Sequence, residues 1–91
     1  MADTLSRDDV RGRYELKFDG GTAFALYRAQ GGALAVFHTE TPAHLRGRGI
    51  GGRLVAAVLD DIRARGLKVV PRCPFVAAFI ASHPEYRELV Q

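Results

Sequence analysis

Four glycines and three arginines fall within eight residues, Arg46-Gly47-Arg48-Gly49-Ile50-Gly51-Gly52-Arg53, just where a helix-periodic apolar run begins. The first amides of a helix have no partner within it and point outward. The macrodipole makes that end partly positive. Glycines there leave no Cβ in the way, so a phosphate or pyrophosphate can approach the backbone closely. Arg46 and Arg48 add charge at the rim and can bond phosphate oxygens in a forked geometry. The stretch taken alone also admits a simple tight turn, a solvated arginine face, or nonspecific contact with RNA. Neither a dinucleotide-binding fold nor a nucleoside-triphosphate P-loop is expected; the G-K-[ST] ending of the P-loop is missing.

The elements that must hold this loop can be read from periodicity. "RYELKF" (Arg13–Phe18) alternates, with Tyr14, Leu16 and Phe18 on one face, which predicts a half-buried strand. "DGG" reads as a hairpin turn, residues 22–29 as the returning strand and "QGG" as a second turn. "ALAVFHTE" (Ala33–Glu40) is a third, more apolar strand and therefore central. Pro42 ends it, and the glycine–arginine loop follows. Ile50, Leu54, Val58 and Ile62 recur every four residues, with Val55 and Leu59 beside them, as an amphipathic helix requires. Gly66 stops that helix. Residues 67–73 form a short fourth strand. The strand–helix–strand connection makes it parallel to the third, with a right-handed crossover. Residues 74–83 read as a helix with Pro74 in its first turn, broken by Pro84; residues 84–90 add one helical turn. The expected fold is α/β (α+β): an antiparallel three-stranded meander, a parallel β-α-β unit and C-terminal helices in one domain spanning 1–91. Residues 1–11 are polar and expected to be loosely held.

With 91 residues, 47% hydrophobic and 25% charged, the balance is that of a small globular domain rather than a disordered chain. The net charge of +3 suits an anionic small molecule. A nucleic-acid binder would want a long basic stripe with aromatic platforms, and only one compact basic cluster is present. A lone cysteine, Cys73, argues for a reducing compartment. The first residues lack an apolar signal core, and no apolar run approaches membrane-spanning length. A cytoplasmic protein is expected, with no membrane partner.

Arg-x-x-Gly-x-Gly (Arg46, Gly49, Gly51), set between an apolar strand and a long helix, resembles the acyl-coenzyme A pyrophosphate loop of the GNAT acetyltransferase superfamily. "VFHTETPAHLRGRGIGGRLV" followed by "GLKVVPRCPFVAAFIASHPEY" resembles a minimal GNAT-like N-acetyltransferase family of about this length, most strongly over residues 36–86. The resemblance implies that the third and fourth strands splay apart. The pantetheine arm of acetyl-CoA would lie in the gap, bonded to the backbone of Phe37, His38 and Thr39, with its pyrophosphate on Arg46, Gly47, Arg48, Gly49, Ile50 and Gly51. It further implies that His38 and Cys73 sit at the acetyl group. Glu40 resembles, in strand position, the glutamate base of larger members. Tyr86 is either a general acid or a core anchor, the anchor being preferred. The chain is shorter than a typical member, which leaves the acceptor side open.

The expected activity is therefore acetyl transfer from acetyl-CoA, as cosubstrate and without a metal, to an amine. The alternative is a non-catalytic coenzyme A-binding or sensor module. A monomer or weak homodimer is expected, with no nucleic-acid partner.

Overall fold

The computed structural model describes residues 3–91. One mixed sheet carries five strands in sequential order: β1 (Thr4–Asp8), β2 (Arg13–Phe18), β3 (Gly21–Gln30), β4 (Ala33–Glu40) and β5 (Lys68–Pro71). The first four form an antiparallel meander, and β5 runs parallel to β4. Helix α1 (Ile50–Ala64) makes the crossover, and α2 (Pro74–Ser82) follows β5. Both helices pack on the same side of the sheet as Tyr14, Leu16, Ala23, Ala25, Tyr27 and Val36, in one contiguous core.

The crossover helix has the expected face. Ile50, Leu54, Val55, Val58, Leu59 and Ile62 are all buried. Its end is a glycine stop: Gly66 takes φ +70°, its amide donates to the Arg63 carbonyl, and the Leu67 amide reaches the Ile62 carbonyl.

Two segments depart from the sequence expectation. Within residues 1–11, Thr4–Asp8 is an ordered edge strand rather than a loose arm, so the meander has four strands, not three. Leu5 pairs with Leu16 and packs against the core, and Arg7 reaches across to Asp61 of α1 at 3.1 Å. The Asp8 carboxylate accepts from the amides of Val10 and Arg11 and closes the turn into β2. A polar edge strand with one apolar residue gives almost no alternation signal, and charge on an edge is how such strands avoid pairing with other chains. At the other terminus, Pro84–Leu89 winds as a longer 3₁₀ segment. Val90 then bridges Val69, and the Gln91 amide donates to the Val69 carbonyl at 3.0 Å.

Candidate functional site

Strands β4 and β5 part company after four paired positions. The ladder runs from Ala33 opposite Lys68 to Val36 opposite Pro71. The Val36 carbonyl then accepts both the Arg72 and Cys73 amides, at 3.1 and 2.9 Å, and the chain turns away into α2. Beyond that point Phe37, His38, Thr39 and Glu40 have no strand partner on the β5 side among the described residues. A bulge sits at the same place. Tyr27 faces Val36, but the next residue back on β3, Leu26, faces His38, so Phe37 is the extra residue.

The bulge decides which way the candidate side chains point. Simple alternation would carry the Val36 face on to His38 and Glu40. Instead Thr39 lies opposite buried Ala25, on the helix side, and its hydroxyl oxygen is 3.6 Å from Cys73 Sγ. His38 and Glu40 still share a face, but it is the face away from the helices. His38 lies opposite Leu26, its ring 6.0 Å from that of Phe24. His38 is exposed, whereas Cys73 is buried within the core. The structure thus brings Cys73 to Thr39 and leaves His38 on the other side of the sheet.

Above the splay lies a cleft of about 430 Å³, lined by Thr39, Glu40, Thr41, Leu45, Arg46, Gly47, Gly49, Ile50, Gly51, Gly52 and Phe75. Its floor is the start of α1. Gly49 is the N-cap in the left-handed region at φ +77°, and Gly47 has φ +85°. No side chain among the described residues caps the helix, and its first turn holds no acidic residue. The Arg53 amide closes the first turn on the Gly49 carbonyl at 3.1 Å, while the amides of Ile50, Gly51 and Gly52 meet no acceptor among the described residues. Arg46 and Arg48 are exposed, and neither side chain pairs with a carboxylate among the described residues. Open donors, positive charge and absent Cβ atoms fit a pyrophosphate.

The cleft gathers Thr39, Arg46, Gly47, Gly49, Ile50 and Gly51 from the sequence candidates, together with Glu40. Arg48 stands at the loop without lining the cleft, and Phe37 and His38 face away from it. Sequence reasoning missed Phe75. A Cβ on Gly51 would come within 2.9 Å of the Phe75 ring, so that glycine serves helix-to-helix approach as well as the cleft. The one available signal was an aromatic residue in the first turn after Pro74, next to Cys73. Tyr86 is an anchor: it is buried and donates to Asp60 of α1 at 2.9 Å. Gly47, Gly49 and Gly52 do fall at the G-x-G-x-x-G spacing of dinucleotide-binding folds. That fingerprint needs a βαβ unit in a doubly wound parallel sheet, and β4 here is the last strand of an antiparallel meander.

A parallel strand pair thus splays beside an uncapped, glycine-lined helix start. A sequence model of the GCN5-related N-acetyl-transferase family matches residues 13–89, and the chain belongs to that family. It is 29% identical over 92 residues to Protein NATD1 of Mus musculus, covering 96% of this chain and 84% of the relative. Its fold matches the solution structure of a GCN5-like protein of Staphylococcus aureus, described as a candidate N-acetyltransferase. The TM-score is 0.72 at 21% identity, over 97% of this chain and 87% of the other.

Proposed function

We propose that this chain transfers an acetyl group from acetyl-CoA to an amine. The observation that carries the proposal is the meeting of two features at one cleft: the open amides at the start of α1, and the unpaired edge of β4 beyond Val36. The first suits a pyrophosphate. The second offers backbone donors and acceptors to an extended amide-bearing arm, as an added strand would use them. Bound there, an acetyl thioester supplies an acyl carbon open to attack by an amine.

The roles of the remaining residues follow from their placement. Direct attack needs a group to take the proton released as the C–N bond forms and the C–S bond breaks. His38, exposed on the face away from the helices, is our candidate for that proton, directly or through water. Glu40, on the same face, is the second candidate. Cys73 would shape the acyl pocket with Thr39. An acetyl-Cys73 route needs a base within hydrogen-bond reach of the thiol. The neighbour in reach is the Thr39 hydroxyl, and His38 lies on the other face. That supports direct transfer. The lone free thiol fits a reducing, cytoplasm-like compartment.

Mass spectrometry after mixing with acetyl-CoA alone separates the routes. Direct transfer predicts no acetyl adduct on Cys73. A rapid single adduct, discharged by added amine, would refute it. Undiminished turnover in both His38→Ala and Cys73→Ala would leave proximity of the two substrates as the mechanism.

A further inference from the structure

Among the described residues no helix packs on the sheet face away from α1 and α2, where Ala33 and Ala35 are buried between neighbouring side chains, and the chemistry of that face is uneven. Arg13 is tied to Glu15 at 2.7 Å and lies over the Phe24 ring. Arg28 lies over the Phe37 ring at 4.9 Å and has no ion pair or side-chain hydrogen bond among the described residues. Arg72, the first residue past β5, reaches only the neutral Gln30 side chain among the described residues, at 3.4 Å. Arg28, Phe37, His38 and Arg72 are all exposed, and Phe37 keeps 38% of its surface in solvent. Two guanidinium groups without a carboxylate among the described residues therefore stand on this face, Arg28 over the exposed Phe37 ring at the lip of the splay and Arg72 directed toward Gln30. The carboxylates sharing this face are Glu15, engaged by Arg13; Glu40, at the loop end; and Asp8, on the outer strand beside Arg11.

Resting on the transferase reading above, we propose that this face receives the acceptor, and that the acceptor is an acidic peptide segment. Arg28 and Arg72 hold its carboxylates, Phe37 carries its backbone or apolar side chains, and its amine enters the splay beside His38. The approach is set by the fold. Helices α1 and α2 close the other face, and the cleft at the loop is the place for the cofactor. The class follows from charge and shape. Unpaired guanidinium groups select carboxylates in bidentate geometry and disfavour polyamines. A flat, exposed patch encloses too little of a small molecule to hold it, whereas an extended chain spans it.

The test uses the full chain and peptides of equal length carrying one free amine among acidic, neutral or basic neighbours. Transfer from acetyl-CoA should favour the acidic peptide over the neutral one by about tenfold in kcat/KM, and the advantage should shrink with salt. Arg28→Gln combined with Arg72→Gln should erase that preference while calorimetry shows acetyl-CoA affinity unchanged. Equal rates on acidic and basic peptides, or a preference that survives the double substitution, would overturn the inference and leave the transferase reading standing. Fluorescence anisotropy of a labelled acidic peptide gives a readout independent of turnover. Arginine-dependent binding without transfer to any amine would uphold this surface and sink the transferase reading. Transfer from acetyl-CoA to a simple amine with no peptide binding would do the reverse. A dimer abolished by the double substitution would assign the face to a second copy and overturn the proposal.

Discussion

At its C-terminal end, α1 is surrounded by polar groups that satisfy one another. Tyr14 donates to Asp61 at 2.7 Å and accepts from Arg65 at 3.2 Å; Arg7 reaches the same carboxylate, and Tyr27 donates to Asp9. At its N-terminal end the same helix leaves amides without acceptors among the described residues, and although Arg53 is held by Asp3, Arg46 and Arg48 meet no carboxylate there. Both ends contain arginines, so residue type does not separate them. What separates them is whether each donor has already been matched within the chain. Matched groups lock the β1–β2 edge onto the helix, and unmatched ones remain available to a ligand.

The comparison can be broken in the middle, at one end or at the other. Leu54 is fully buried between the two ends. Leu54→Ala should lower stability by ~2–5 kcal/mol, the range for a core cavity, and weaken both ends together. Denaturant unfolding checks this, and a loss within error would mean that the helix is not seated on the sheet as described.

Tyr14→Phe should act on the matched end alone, costing about 1–2 kcal/mol without changing coenzyme A affinity. Its pH signature is specific. Burial, with Asp61 beside it, pushes the Tyr14 hydroxyl up to about 12. Burial and Asp9 push Tyr27 up as well. A raised phenol favours the folded state fully below its usual value near 10, and that contribution disappears as pH rises through the folded value. Stability should therefore fall between pH 10 and 12 in the wild type and fall less steeply in Tyr14→Phe. Parallel pH profiles would count against the network.

The smallest effect belongs to the rim of the unmatched end. Arg48→Ala should weaken coenzyme A binding only a few-fold, since the backbone donors remain and an exposed charge is worth about 1 kcal/mol or less. A loss as large as that from altering the backbone would place the affinity in side chains instead.

How far these features were legible in the sequence varied with the physics behind each. Strand β4 and the start and buried face of helix α1 could be read to the residue, because burial on one face imposes a period that composition displays. The glycine-lined start of α1 was legible because glycine is costly inside a helix or strand, so a cluster of them marks a loop or helix end. Strand β1 was not, since an edge held by Leu5, an Arg7–Asp61 bond and a turn at Asp8 leaves no period. The facing of His38 was hidden for another reason. One bulge residue, Phe37, inverts every side chain after it, and nothing local in "AVFHTE" marks the bulge. Phe75 was hidden because its contact with Gly51 joins two helices far apart in the chain.

The central claim is that the open amides at the start of α1 hold the diphosphate of acetyl-CoA. Calorimetric titration of acetyl-CoA into the wild type and into Gly49→Val, each verified as folded by circular dichroism, tests it directly. Apart from its own chain neighbours, no described residue comes within 4 Å of a Cβ placed on Gly49, so a side chain there would project into the ligand's space, and φ +77° would resist it. The account predicts saturable one-site binding in the wild type and its loss in the variant. Equal affinity in a folded Gly49→Val protein, or no binding by the wild type, would contradict it.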